Sequence, residues 1–534
     1  MNSQLSKILL VLIIQLMGSC GYEVKEGVHN IFHYNQPNPV TSLDPAFAKS
    51  QNNIWAVDHI FNQLVDLDSQ MQIKPELAKS WEISQDGLNY TFHLRTDVFF
   101  HTAPDLWASN SRKYVARDVE YSFLRLMDPN LNAPGSWVLM NKLDDRIPFQ
   151  LINDSTLVIR LKSAFSPFLS LLTMQYCSIV PKEAVEHYGN NFARNPVGTG
   201  PFSLKNWLDR QGIFLERNNR YFRPGQPELE GVRISFIEDR NTAFLEFMNK
   251  GIDFFSGVQA SFAAQLLTNS GELRSELKDK FGFVRANYLN TEYIGINLES
   301  LSKDDPLHSV HFRQALNYAI DREQMISLFR FGLGVPAVSG FIPSGLVPEE
   351  VKRPKCYTYD LEKAKDLIRQ SGYGLLPSEQ KTIVVNTNKD YLDLVSFIVR
   401  QWQEVGVMVK IELMETASLR EKMRNGSLDF FRASWIADYP DPESFMAVFY
   451  SKNPPPPNYT RFRHQGFDSL YERAVLETDP LIRANLYVEM DQIICNEAPV
   501  IFLLYDEVAL FHQTHIKGIH GNAINLLKLE GVRE

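Results

Sequence analysis

Hydrophobic residues recur at two different spacings in the first third of the chain. Between Trp81 and Arg95 apolar residues alternate with polar ones on both sides of Asp86-Gly87, which predicts a β-hairpin. From Ala116 to Met127 the apolar spacing changes to that of an amphipathic helix. Its predicted buried stripe consists of Val119, Phe123 and Leu126.

The later part of the chain predicts β-α-β units. Apolar runs at 382–385 and 407–413 predict two strands, and a helical stripe from Leu392 to Trp402 lies between them. Another amphipathic helix is predicted over 312–320, and Asp360 is placed to cap the N-terminus of a further one. Hairpins early and β-α-β units later predict an α/β fold class with a mixed α+β portion.

Composition narrows the class of protein. The chain has 534 residues, 44% hydrophobic and 22% charged, which fits roughly three globular domains or large lobes. Its 54 Lys and Arg against 63 Asp and Glu give a formal net charge of −9 without a dense basic run, so nucleic acid is not expected as a partner. We find no nucleophile-elbow, zinc-protease or P-loop motif, which favours a binding protein over a secreted hydrolase, and we expect no cofactor.

The N-terminus predicts export. Lys7 is followed by an apolar run from Ile8 to Met17, which is too short to span a bilayer and is typical of a signal peptide. Gly18-Ser19 directly before Cys20 resembles the bacterial lipobox, so residues 1–19 are predicted as a lipoprotein signal peptide and Cys20 as the lipidated residue. The alternative is an ordinary secretory signal with an incidental cysteine. The lipid anchor would hold the protein at a bacterial membrane, facing the periplasm or the cell exterior.

The remaining cysteines and the histidines give no metal-site pattern. Three cysteines remain, and they permit at most one disulfide and a free thiol; they are Cys177, Cys356 and Cys495. The chain has no C-x-x-C pair, so a structural zinc site is not expected. Three histidines cluster near the C-terminus on what is interpreted as an exposed strand end; they are His512, His515 and His520. We therefore predict no metal site.

Eight short segments, in order along nearly the whole mature chain, resemble a known family. They are 43–46, 75–82, 90–95, 116–119, 197–202, 317–322, 359–364 and 435–442. Together they are similar to the oligopeptide/dipeptide-binding protein family, the extracytoplasmic solute-binding receptors of peptide ABC importers. Each segment alone is weakly specific, and their common order makes the resemblance specific.

The resemblance implies a two-lobed periplasmic-binding-protein fold with a hinge and an additional domain inserted in the first lobe. Ligand would lie between the lobes, and the chain would cross between them near Asn297 and Val500. The implied segments are 28–60, 196–296 and 501–534 for the first lobe, 61–195 for the inserted domain and 297–500 for the second lobe. The implied function is capture of peptides and their delivery to membrane permease subunits by a monomeric receptor that is not an enzyme.

The resemblance also implies where a peptide would bind. The Asp of the family's Trp-x-x-Asp motif, here Asp438, would pair with the peptide amino group. The backbone beside it would bind the peptide main chain; it belongs to Ser434, Trp435 and Ile436. The alternative for Asp438 is a helix N-cap, although Asp441 is better placed for that role.

Other expectations concern the far end of the ligand. Arg432 lies six residues before Asp438, roughly on one face of an extended strand, and is the candidate partner of the peptide carboxylate. Its alternative is a surface salt bridge. The first lobe would flank the peptide with Ser50, Gln51 and Asn52.

Because relatives in the family bind metal chelates, haem or sugars, a non-peptide solute is the competing expectation, and the presence of Asp438 favours a peptide.

Overall fold

The computed structural model describes residues 30–107, 112–257 and 260–534. The predicted signal peptide and Cys20 lie outside the described residues. The strands are β1 (Ile31–Asn35), β2 (Val65–Leu67), β3 (Ile73–Pro75), β4 (Ala78–Ile83), β5 (Asn89–Leu94), β6 (Phe149–Asn153), β7 (Thr156–Arg160), β8 (Phe202–Leu208), β9 (Gly212–Arg217), β10 (Gly231–Ser235), β11 (Phe254–Ser256), β12 (Phe281–Ile296), β13 (Val335–Pro336), β14 (Thr382–Thr387), β15 (Met408–Leu413), β16 (Phe430–Ile436) and β17 (Val500–Gln513).

The α-helices are interspersed with these strands. They are α1 (Gln51–Asp58), α2 (Ala116–Met127), α3 (Phe168–Leu171), α4 (Lys182–Tyr188), α5 (Arg240–Met248), α6 (Ala260–Leu266), α7 (Val310–Tyr318), α8 (Arg322–Phe329), α9 (Leu361–Gln370), α10 (Leu392–Glu404), α11 (Thr416–Asn425), α12 (Glu443–Met446), α13 (Gln465–Ala474) and α14 (Pro480–Glu497). Within the described ranges, every helix is too short or too polar to cross a membrane.

One large sheet runs through most of the molecule. Its strand order is β15-β14-β16-β12-β17-β11-β1-β10-β9-β8, with β13 pairing to β17 outside this path. A separate four-stranded sheet, β4-β5-β7-β6, and the β2-β3 pair lie within the segment predicted as the inserted domain. The arrangement agrees with the predicted α/β class and its mixed insertion.

The local predictions from apolar spacing are confirmed. The hairpin forms from β4 and β5, and β5 buries Tyr90, Phe92 and Leu94 on one face. Helix α2 buries Val119, Phe123 and Leu126, which are the residues of the predicted stripe. The β-α-β unit is β14-α10-β15, whose strands pair in parallel from Thr382↔Met408 to Thr387↔Leu413.

The lobes are joined by the antiparallel pair β12–β17. The pair extends from Phe281↔Gln513 to Gly295↔Val500, and its register shifts between Asn287 and Thr291 and again between Glu292 and Tyr293. On one side of the first shift β12 packs into a core that we call phenylalanine-rich, which includes Phe244, Phe247, Phe262, Phe281 and Phe511. On the other side it packs into the two cores of the predicted second lobe. We therefore propose that the chain crosses from one lobe to the other within β12 and β17. This crossing lies before the boundary at 297 that the motifs predict.

A loop of the predicted second lobe also packs against the predicted first lobe. After α8, Leu333 packs into the phenylalanine-rich core, and Gly332 accepts a 2.8 Å hydrogen bond from Arg285 Nη2. A Cβ atom on Gly332, whose φ is +73°, would lie 2.5 Å from the carbonyl carbon of Ser270, so only glycine fits this close approach. The loop therefore forms one wall of the space between the lobes.

A disulfide fastens the segment that follows β13 to the end of α14. Cys356 and Cys495 are bonded, with their Cα atoms 5.5 Å apart, and Cys177 is a buried free thiol. This is the one-disulfide arrangement that three cysteines permit. Because the bond closes a separation of 139 residues, it restricts the unfolded chain strongly.

Replacing both Cys356 and Cys495 with serine is expected to lower the free energy of unfolding by about 2–5 kcal/mol. The matched control is Cys177→Ser, which makes the same chemical change at a buried cysteine without breaking a disulfide. Thermal unfolding of the three proteins measures the effect. A double variant that unfolds at the same temperature as this control would contradict the stabilising role.

Candidate functional site: the space between the lobes

Strand β16 presents an open edge beside the crossover. It pairs along its whole length with β12, from Ile436↔Asn290 to Phe430↔Ile296, but pairs with β14 only at Phe431. The N–H of Ala437 donates to Leu289 O at 2.8 Å. Because successive residues of a strand point their peptide groups in opposite directions, those of Ser434 and Ile436 point away from β12. These two residues therefore offer main-chain donors and acceptors to a further strand.

The side chains of β16 divide between two faces. Arg432, Ser434 and Ile436 share the face that leads to the cleft, where Ile436 is 48% exposed. Trp435 points the other way, and its indole N–H donates to Ser444 O at 2.7 Å. The backbone N–H of Asp438 donates to Ser444 Oγ at 3.2 Å, so these bonds fix the turn that follows the strand.

Asp438 is a carboxylate without a countercharge. Among the described residues its side chain has no hydrogen bond or ion pair, whereas its neighbour Asp441 accepts from Glu443 N–H at 2.9 Å and pairs with Arg483 at 3.0 Å. Capping is therefore the role of Asp441, as the sequence favoured.

The environment of Asp438 disfavours its charge. The Asp438 side chain is exposed at the surface, and the protein beside it removes part of its hydration, which raises its pKa to about 6. Tyr176, from the predicted inserted domain, faces it. Burial, together with the charge of Asp438, raises the pKa of Tyr176 to about 12. A bound cation would offset the partial desolvation of this carboxylate.

Arg432 is already occupied in this structure. Its guanidinium is buried, forms an ion pair with Glu292, and has its central carbon 3.1 Å from the ring centroid of Tyr391. The structure thus places Arg432 on the predicted face but pairs it internally, and its assignment to a ligand carboxylate stays a prediction.

The ion pair continues into a chain of polar contacts across β12 and β17. Asn290 Nδ2 lies 3.2 Å from both Glu292 Oε1 and Asp506 Oδ2, and Asp506 pairs with Arg330 at the end of α8. We call this set the floor network; it comprises Arg432, Glu292, Asn290, Asp506 and Arg330. Its two positive and two negative side chains balance.

A cavity of about 560 Å³ opens beside the floor network. The network contributes Arg330 and Asp506 to its lining, and the second-lobe loop contributes Phe331 and Leu333. From the first lobe come the three predicted residues Ser50, Gln51 and Asn52, together with the aromatic side chains of Trp55, Phe254 and Phe262. The predicted first-lobe residues and the β16 residues therefore lie on two sides of the floor network.

Sequence reasoning missed Tyr176 and most of the floor network. One signal was available in β12, where Asn290, Thr291 and Glu292 are three consecutive polar residues and are all buried. Three consecutive buried polar residues in a central strand require partners. Their partners lie far away in sequence, so no local motif marked them.

The C-terminal histidines are used elsewhere. His515 pairs with Asp253 at 3.3 Å, and His512 Nδ1 lies 3.0 Å from Gln513 O. Within the ranges that the structure covers, no group of three or more His, Cys, Asp or Glu side chains is arranged to hold a metal ion.

Comparisons with known proteins agree with this architecture. The chain is 29% identical to Heme-binding protein A of Haemophilus influenzae, over 89% of this chain and 87% of that protein. It is 25% identical to the Glutathione-binding protein GsiB of Escherichia coli O1:K1 / APEC, over 94% and 93% of the two chains.

A solved structure and a family model complete the comparison. The structure of DppA from Helicobacter pylori, an ABC transporter-associated periplasmic binding protein in complex with the peptide STSA, superposes with a TM-score of 0.75 at 25% identity and covers 94% of this chain and 98% of that one. These relatives are binding proteins, in agreement with the prediction of a receptor rather than a hydrolase. Residues 72–456 match the family model described as bacterial extracellular solute-binding proteins, family 5 Middle. The chain belongs to family 5 of the bacterial extracellular solute-binding proteins.

Proposed function

We propose that the protein captures peptides by their free amino end and delivers them to the permease of an ABC importer. The observation that carries the proposal is the lone carboxylate of Asp438 beside the open edge of β16. The Helicobacter pylori relative, which holds a peptide, supports the ligand class and the link to an ABC transporter.

The chemistry of this site fits a peptide of any sequence. An ammonium group enclosed by protein needs a negative partner, and charge-assisted hydrogen bonds to Asp438 would fix its position. The outward peptide groups of Ser434 and Ile436 would then pair with the ligand main chain, as in strand addition. Because every peptide carries these groups, such a site depends little on side-chain identity.

The remaining predicted residues give the site its extent. From Asp438 to Arg432 a strand spans roughly 20 Å, the length of about six extended peptide residues. The cavity beside Ser50, Gln51 and Asn52 would receive the part of the ligand that faces the first lobe. Its aromatic wall suits apolar side chains.

A non-peptide solute is the competing proposal, because one relative is named a heme-binding protein and the cavity has an aromatic wall. Native mass spectrometry of the purified protein separates the two. A series of co-purifying peptides supports our proposal, and one bound haem or metal complex supports the alternative.

We also propose that the mature chain is tethered to the membrane by a lipid on Cys20. The lipobox-like Gly18-Ser19-Cys20 after an apolar run supports the tether, and the family's extracellular location supports export. A tethered receptor stays close to its permease and would capture ligand beside it.

Removing the charge of Asp438 is expected to stabilise the free protein above about pH 6. The folded pKa of about 6 exceeds the unfolded value of roughly 3.9, so the stability of the wild type falls as the pH rises from about 4 to 6. Asp438→Asn should therefore raise Tm at pH 7.5 and leave it nearly unchanged at pH 4. The exposed control Asp279→Asn should shift Tm at neither pH. An Asp438→Asn protein that melts at or below the wild-type temperature at pH 7.5 would refute the partly desolvated, unpaired charge.

The same substitution should weaken peptide binding. Losing one partner of an enclosed charge pair costs about 2–5 kcal/mol, so tetraalanine with a free amine should bind Asp438→Asn roughly 30-fold to several thousand-fold more weakly than wild type. N-acetyltetraalanine should bind wild type poorly, and the substitution should cost it little more. Calorimetry on the four combinations gives the coupling. Equal affinity of variant and wild type for the free amine would remove Asp438 from the site, whereas Asp279→Asn should bind normally.

Cys20→Ser should release the protein from the membrane. Two or more acyl chains hold a protein firmly at a membrane, whereas a protein without a lipid has no such attachment. Fractionation after a salt wash should find the wild type in the membrane fraction and the variant in the soluble fraction. Retention of the variant in the membrane would show that Cys20 is not the attachment point.

A further inference from the structure

We infer that Glu292 determines specificity by occupying Arg432, so that the receptor gains little from the carboxylate of its ligand. The inference rests on the proposed function, because it concerns a peptide whose amine is at Asp438. It assigns to Glu292 the position that a ligand carboxylate would otherwise take.

The contacts of Arg432 leave little room for a second anion. Glu292 bonds one end of the guanidinium, and the Tyr391 ring covers its face at 3.1 Å. Arg432 and Glu292 are exposed by only 8% and 5%. A ligand carboxylate would have to displace Glu292, which is desolvated at that place.

The competition favours the internal carboxylate. Glu292 is held by its strand, and Asn290 binds its second oxygen at 3.2 Å, whereas a ligand loses translational and rotational freedom when it binds. Displaced Glu292 would also remain as a buried anion without its cationic partner, which is costly. A ligand carboxylate therefore gains little at Arg432.

The position of Glu292 in β12 places it beside the proposed ligand. Its register partner is Ser434, whose main chain faces the open edge of β16, and partners in an antiparallel pair share a face. The flanking residues Thr291 and Tyr293 point to the other face, where Thr291 Oγ1 donates to Phe341 O at 2.8 Å. Glu292 therefore lies on the cleft face of the sheet.

Charge balance gives the same result for the whole floor network. Its two arginines are matched by Glu292 and Asp506, so the network has no net charge with which to attract an anion. Among the described charged residues of the floor network and of the turn after β16, Asp438 is the one left without a countercharge. The site should thus select a positive amino end and accept free-acid and amidated peptides alike.

Calorimetry with alanine peptides of three to six residues, each as free acid and as C-terminal amide, tests the inference. Wild type should bind the two forms of each peptide within about threefold. Glu292→Gln releases Arg432, so the free acid of the six-residue peptide, long enough to reach it, should bind at least about tenfold more tightly than its amide. Glu292→Gln/Arg432→Gln should lose that preference, and the surface control Glu216→Gln, which breaks an exposed pair with Lys205, should behave like wild type.

A wild type that prefers free acids tenfold or more would overturn the inference, and this comparison holds even if Glu292→Gln fails to fold. A folded Glu292→Gln without a new preference would also overturn it. N-acetylated peptides distinguish failure of this inference from failure of the proposed function. If acetylation abolishes wild-type binding, the proposed function stands whatever the carboxylate result; if acetylation has no effect, the proposed function fails together with the inference.

Discussion

The long antiparallel pair β12–β17 is the constraint on which the rest of the structure depends. It joins strands more than two hundred residues apart in sequence and passes through the cores of both lobes. The register shift between Asn287 and Thr291 interrupts it between these cores. Because β16 pairs with the second-lobe half of β12, the same strand that joins the lobes also fixes the open edge proposed for peptides.

The charged groups on and beside the pair β12–β17 are of two kinds. The floor network is internally balanced, so it can fix the geometry of the crossover without attracting ions. Asp438 has no such balance, and the protein beside it removes part of its hydration, which raises its pKa. We propose that an unpaired carboxylate at this position is explained by binding of a cationic group of the ligand.

Local patterns in the sequence predicted most of the elements. The hairpin at 78–94, helix α2 and the β14-α10-β15 unit follow from apolar spacing because their contacts are close in sequence. Asp438 was identified by its motif, and the number of cysteines allowed the disulfide without naming its partners.

The contacts that define the site could not be predicted in this way. The pair Arg432–Glu292 joins residues 140 positions apart, and the cavity is lined by segments scattered along the chain between Asn35 and Asn525. Strand order is decided by packing of the whole sheet, which single-sequence periodicity does not encode. The sequence therefore placed Arg432 on the correct face but did not reveal that an internal carboxylate occupies it.

A crystal structure of the protein with hexaalanine bound tests the central claim most directly. We predict that the peptide ammonium lies within about 3 Å of an Asp438 carboxylate oxygen, with the ligand main chain hydrogen-bonded to Ser434 and Ile436. A peptide bound between the lobes with its amino end away from Asp438, or with no main-chain bonds to β16, would contradict the account.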